Sequence, residues 1–201
     1  MRYDIIVAGV GGQGTLSVSS IIASAAMSEG LNVKQSELHG MSQRGGAVVA
    51  HLRISDKPIA SDMIPVGAAS MILSMEPLES LRYLNYLSVD GMLVTSTDPM
   101  KNISNYPEMD EVLRQIELTP HHVLLDSDQI AKQSGSSHSG NMVMVGAASH
   151  FLPLKTETIE KFISKMFARK GEKVVAANLK AYQAGREAAG SNVDIARIQN
   201  A

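Results

Sequence analysis

Residues 7–20, VAGVGGQGTLSVSS, decide the fold. An apolar run, Tyr3–Ala8, enters this stretch with hydrophobic residues at successive rather than alternate positions, the pattern of a strand covered on both faces in a parallel sheet. Four glycines follow within six positions, and TLSVSSIIASAAMSE then repeats Leu16, Ile21, Ile22, Ala25 and Ala26 at mainly helical spacing, with Gly30 placed for a left-handed C-terminal cap. The spacing predicts a strand, a glycine turn and a helix.

Outward from this unit the elements alternate. LNVKQ (31–35) reads as a second strand, SELHGMSQRGG (36–46) breaks all periodicity, and AVVAHLRIS (47–55) is a strong strand. Short apolar runs at Ala69–Met75, Gly91–Ser96 and His121–Asp126 are separated by the helix-like segments PLESLRYLNYL and EMDEVLRQI. The last quarter is helical: a helix capped by Ser139 and broken by Pro153, another capped by Thr156, and a third over EKVVAANLKAYQAGREAA. We expect one three-layer, Rossmann-like α/β domain with a mostly parallel sheet and a helical C-terminal quarter.

Composition narrows the chemistry. The 201 residues carry 44% hydrophobic and 19% charged residues and a net charge of -2, which gives no general pull toward nucleic acid or anionic membranes. There is no cysteine, so this chain supplies neither a disulfide nor thiolates for an iron–sulfur cluster. No run approaches the ~20 apolar residues that span a bilayer, and the N-terminus lacks a signal-peptide pattern, so a cytoplasmic protein is expected. With 12 Met, 3 Phe, 5 Tyr and no Trp, the core is expected to be aliphatic with methionine as filler.

Gly9, Gly11 and Gly14 satisfy G-x-G-x-x-G, with Gly12 an additional glycine. Glycine permits a tight turn and close approach of another group, and free N–H groups at the following helix start attract an anion. A dinucleotide site also requires an acidic residue at the end of the second strand. That region offers Asn32, Lys34, Gln35 and Ser36, with Glu37 arriving late. Two readings stay open here: NAD or NADP binding, and a connector that lets helix and sheet pack closely. Gln13, whose amide both donates and accepts, suits contact with a ligand or a neighbouring subunit.

Taken together, GVGGQG, HGMSQRGGAVVAHLRIS, NMVMVGAA and NLKAYQAGRE, in this order and separation, resemble the gamma subunit or domain of the 2-oxoacid:ferredoxin oxidoreductases. The wording SELHGMSQRGGAVVAHLR resembles most the branch of small subunits of indolepyruvate ferredoxin oxidoreductases. The resemblance implies a gamma-type domain over residues 1–190 and a tail over 191–201. It implies thiamine-diphosphate-dependent oxidative decarboxylation of an aryl 2-oxo acid, with coenzyme A taking the acyl group and ferredoxin the electrons. Thiamine diphosphate and the iron–sulfur clusters would belong to a larger partner subunit, through which ferredoxin is also reached. The chain alone would bind no cofactor beyond a contact with coenzyme A, and would be inactive. A non-catalytic assembly subunit is the remaining alternative.

Arg44, followed by Gly45 and Gly46, offers a planar guanidinium beside accessible backbone N–H groups, suited to a carboxylate or phosphate. Coenzyme A phosphates or an acidic group across the interface are its expected targets, and a structural salt bridge is the plain alternative. Because loops after strand C-termini form the ligand crevice, the 9–14 turn and the 36–46 loop should be neighbours. Gly9, Gly11, Gly12, Gln13, Gly14, Ser42, Arg44, Gly45 and Gly46 are therefore the candidate binding residues, and no metal site is expected. Asp126 and Asp128 read as helix caps. His121 and His122 point to opposite faces of a strand. His138 reads as part of a loop, and Thr95–Pro99 reads equally as a turn or a crevice segment.

Overall fold

A computed structural model describes residues 1–39, 45–101 and 103–192. Its elements run β1 (Arg2–Val10), α1 (Thr15–Ser28), β2 (Asn32–His39), β3 (Ala47–Ser55), β4 (Ala69–Ser74), α2 (Pro77–Arg82), β5 (Leu87–Ser96), α3 (Met109–Glu117), β6 (His122–Leu125), α4 (Ser127–Gln133), α5 (Gly140–Ala148), α6 (Thr156–Phe167) and α7 (Glu172–Asn192). Among the described residues the six strands form one sheet, ordered β2-β3-β1-β4-β5-β6. β1, β4, β5 and β6 are parallel neighbours, whereas β3 runs antiparallel to both β1 and β2. Five strands thus share one direction, and β3 alone is reversed.

The expected architecture holds, with one informative difference. Ser36–His39 is not loop: it extends β2, pairing through Ser36↔His51 to His39↔Val48. The segment lacks a hydrophobic period because β2 is a sheet edge, where one side of the strand has no neighbour and exposed polar residues cost little. β2 and β3 pair as a long antiparallel ladder, and residues 40–44 between them lie outside the described residues.

The continuous apolar stretches are explained by two cores. Ile5, Val7, Leu52, Ile54, Met71, Leu73 and Val94 face α1, α5, α6 and α7 on one side. Ile6, Ala8, Val49, Ile72 and Leu93 face the shorter α2 and α3 on the other. The helical last quarter therefore thickens one face. Its central contact is α5 against α7, where Gly146 lies on the backbone of Tyr182 and Gly185 on the backbone of Val143. Gly30 is left-handed (φ 82°) after α1, as the cap reading predicts. Ser139 stands at the N-cap of α5 as expected but makes no side-chain capping bond there, whereas α6 begins at Thr156 itself, after Lys155. α7 continues through Asn192, past the expected start of the tail, and residues 193–201 lie outside the described residues.

At the opposite end of the sheet, Asp4 and Arg53 form an ion pair at 3.0 Å, 1% and 7% exposed as residues. The Arg53 guanidinium also donates to the Ser61 and Met63 carbonyls at 3.0 and 2.9 Å, which ties the 56–68 connection to the sheet.

Candidate functional site: the crevice at the carboxyl edge of the sheet

The glycine turn leaves β1 and enters α1, and each glycine has its own reason. A Cβ on Gly9 would lie 2.8 Å from Thr15 Oγ1 and 3.0 Å from Gln13 Oε1, so the missing side chain makes room for the chain's own residues. A Cβ on left-handed Gly14 would overlap the Asn141 amide, which therefore covers the start of α1. Gly11 donates its N–H to the Gly46 carbonyl at 2.8 Å and accepts from the Gly45 N–H at 3.2 Å. The turn and the base of the β2–β3 hairpin are joined directly. Gly12, at φ 109°, has open space where a Cβ would stand.

Gln13 is committed within the chain. Its Oε1 accepts the Val10 N–H at 2.8 Å and its Nε2 donates to the Met75 carbonyl at 3.1 Å, stitching the ends of β1 and β4 together. The amide that the sequence offered for an external contact thus shapes the floor of the turn, while the residue still lines the crevice.

That crevice, about 270 Å³, lies where β1, β4, β5 and β6 end, and is lined by Gly12, Gln13, Met75, Asp98, Met100, Asp128, His138 and Asn141 among others. Crevices of α/β sheets form beyond the carboxyl ends of such parallel strands. Its walls are polar and acidic, and neither lysine nor arginine is among the described lining residues.

Asp98 is held by a tight network. Its Oδ2 accepts from the Ser96 hydroxyl, from Ser127 Oγ at 2.8 Å and from the Asp128 N–H at 3.0 Å. Burial pushes its carboxyl up, but the bonds from Ser96, the Asp128 N–H and Ser127 outweigh burial and leave it below the ordinary value. Asp128 goes the other way: burial and the Asp98 charge raise it, against the pull of Lys132.

These opposite shifts have opposite consequences for stability. A carboxyl depressed on folding stabilises the native state above its unfolded pKa and loses that contribution as pH falls through its folded value. Asp98→Asn is therefore expected to lower stability at neutral pH and flatten the acid limb. Asp128, raised on folding, opposes the fold when charged, so Asp128→Asn should raise stability at neutral pH. Urea unfolding of both variants between neutral and acid pH checks the signs.

Of the residues expected at a site, Gly9, Gly11, Gly12, Gln13, Gly14, Gly45 and Gly46 come together at this edge. Ser42 and Arg44 lie outside the described residues. Asp126 is a cap as expected, its side chain accepting the Gln129 N–H at 2.7 Å. Asp128 is not a cap but part of the crevice wall, and Asp98, His138 and Asn141 join it. The signal was present: each follows a strand end or opens a helix at the same edge. Among the described residues no group of three or more His, Asp or Glu could hold a metal ion.

A dinucleotide fits this turn poorly. β3 intervenes between β1 and β2, so the end of β2 is not beside the glycines where a ribose would need its acid. Asn141 covers the α1 start where a pyrophosphate would rest, and two carboxylates face the same space.

Residues 4–188 match the family model of the pyruvate ferredoxin/flavodoxin oxidoreductases. The chain belongs to that family. It is 38% identical over 194 residues to the indolepyruvate oxidoreductase subunit IorB of Archaeoglobus fulgidus, covering 92% of this chain and 94% of the relative. Identity to the common gamma subunit of the pyruvate/ketoisovalerate oxidoreductases of Pyrococcus abyssi is 30% over 179 residues, covering 87% and 92%. The crystal structure of pyruvate oxidoreductase subunit PORC from Thermotoga maritima superposes with a TM-score of 0.72 at 25% identity, over 93% of this chain and 96% of that one. This oxidoreductase family member accordingly shares its overall fold with that subunit.

Proposed function

We propose that this chain is the small subunit of an indolepyruvate-type ferredoxin oxidoreductase. The carrying observation is the 38% identity to an IorB subunit across nearly the whole of both chains, against 30% to a pyruvate/ketoisovalerate gamma subunit. In this reading the complex oxidises an aryl 2-oxo acid: the carboxyl leaves as carbon dioxide, coenzyme A takes the acyl group, and two electrons pass singly to ferredoxin. A larger subunit holds the thiamine diphosphate and iron–sulfur clusters, consistent with a cysteine-free chain here. Thiamine diphosphate supplies the electron sink for decarboxylation when bound to that subunit.

The role of this chain is to complete the site from outside. The acidic crevice suits a hydrogen-bond donor or a cation, and it does not suit the phosphates of coenzyme A. We therefore assign contact with those phosphates to the rim, where Gly12 is open and Gly45 and Gly46, which Ser42 and Arg44 precede in the sequence, stand beside Gly11. The Arg44 guanidinium is the matching donor, because the Gly11 and Gly45 N–H groups already bond within the chain.

The test is reconstitution with the larger subunit, reading ferredoxin reduction with indolepyruvate, pyruvate and 2-oxoglutarate. Indolepyruvate should be preferred. Arg44→Ala should leave assembly intact and reduce turnover roughly 10- to 100-fold, the range for losing a charge-assisted hydrogen bond. Full activity in that variant removes the rim assignment. Tight NADH binding by the isolated chain would favour a stand-alone dehydrogenase instead.

A further inference from the structure

A second concavity lies away from the crevice, on the thicker face of the sheet. α1 and α6 run antiparallel there, joined where Glu29 Oε1 accepts the Lys155 N–H at 2.9 Å. Leu16, Ser20, Ser24 and Met27 follow one another by four, four and three residues, so they fall on one stripe of α1. The two serines are too short to fill the space beside α6. A groove of about 250 Å³ opens over Ile21, with Phe162, Lys165 and Met166 along its other bank.

The ends of the α1 stripe are apolar and face water: Leu16 is 38% and Met27 65% exposed. Eleven residues separate them, about 16 Å along a helix. The banks also differ in charge. α1 carries no charged residue from Thr15 to Ser28, whereas Lys161, Lys165 and Arg169 form an exposed row at intervals of four along α6 and the turn after it. None of the three forms an ion pair with a described residue. Lys165 lies over the Phe162 ring at 4.8 Å, so its charge stays at the groove. In a chain of net charge -2, residues 161–173 hold five cations and one carboxylate.

We propose that this groove docks an amphipathic helix of the larger partner subunit, apolar along its inner stripe and acidic along the flank facing α6. The spacing of Leu16 and Met27 matches an i, i+4, i+7, i+11 apolar stripe, and the unpaired cation row selects carboxylates on one side only. This rests on the reading that a larger subunit exists. Because α1 begins at the glycine turn, a helix lying in the groove ends near the crevice and fixes the angle at which the partner meets it.

The test has two arms. In the first, the full chain is titrated with an 18-residue helical peptide bearing leucines at i, i+4, i+7 and i+11 and glutamates on one flank, and with its lysine-flanked counterpart. The acidic peptide should bind at least 10-fold tighter, weaken at least 10-fold in high salt, and protect amides of 15–28 and 156–167 from exchange. Ser20→Glu, at an exposed position, and the pair Lys161→Glu/Lys165→Glu should each cost 10-fold or more in affinity with thermal unfolding unchanged. Equal binding of both peptides, indifference to these variants, or protection elsewhere overturns the proposal. So does either alternative occupant: phosphatidylserine vesicles bound through Lys165, or a dimer in sedimentation that Ser20→Glu dissolves. In the second arm the same variants are co-expressed with the larger subunit, and assembly should fall 10-fold. If the wild type assembles and the variants do so equally, the groove is wrong and the proposed function stands. If the wild type recruits no larger subunit, the proposed function fails and the peptide arm decides the groove.

Discussion

Gly185→Ala should unfold roughly 10 °C below the wild type, a shift that corresponds to about 3 kcal/mol in a domain of this size. A Cβ there would overlap the Val143 carbonyl of α5, and its neighbouring atoms are backbone, which cannot swing aside as a side-chain tip can. Gly146 is the reciprocal contact, where a Cβ would overlap the Tyr182 carbonyl and lie 2.9 Å from Arg186 N. Either substitution forces α5 and α7 apart, and with them the buried faces of Val143 and Tyr182. Gly190, in the same helix, provides the opposite sign. A Cβ there would meet only His150 at ordinary contact distance, so Gly190→Ala should be neutral or stabilise by up to about 1 kcal/mol through helix propensity. Calorimetric or circular-dichroism melts of the two alanine variants separate steric from entropic effects of glycine within one helix.

The second large effect is expected at the buried pair. Asp4→Ala leaves the Arg53 guanidinium buried with only carbonyl partners, and Arg53→Leu strands the Asp4 carboxylate. Breaking such a pair typically costs about 3–5 kcal/mol, because a charge is left without compensation. Arg2 reaches Asp4 at 2.8 Å but is largely solvated and does not replace Arg53. Replacing both partners together by apolar residues should be far less damaging than either single change, since no buried charge remains. Urea midpoints for the two single variants and the double variant close this cycle. Arg53→Leu should also loosen residues 56–68, whose carbonyls at Ser61 and Met63 lose their donor, and hydrogen exchange there checks it.

The order of elements was legible because both faces of most strands are covered, so continuous apolar runs such as Tyr3–Ala8 stood out from the helical spacing of Leu16–Ala26. The hairpin was not. Ser36–His39 has no hydrophobic period because its pairing with β3 is set by backbone bonds and by register, which side-chain pattern does not report at an edge. Strand order was likewise invisible, and it matters most: with β3 between β1 and β2, the missing acid after the second strand stops being a defect and becomes irrelevant. For the site, the glycines were found but their purpose was mixed. Gly9 and Gly14 serve contacts with Thr15, Gln13 and Asn141, whereas Gly12 remains open. Asp128 reads as a cap, and Thr95–Pro99, with Asp98, reads equally as a turn or a crevice segment, because local sequence contains that chemistry. Only the three-dimensional ends of β5 and β6 bring them to one wall.

The reversed strand also has a consequence for how such subunits can diversify. The 40–44 segment bridges two adjacent antiparallel neighbours, and lengthening such a bridge adds little closure entropy. Changes in length or sequence between His39 and Gly45 can therefore accumulate while the ladder from Asn32 to Ser55 stays in place.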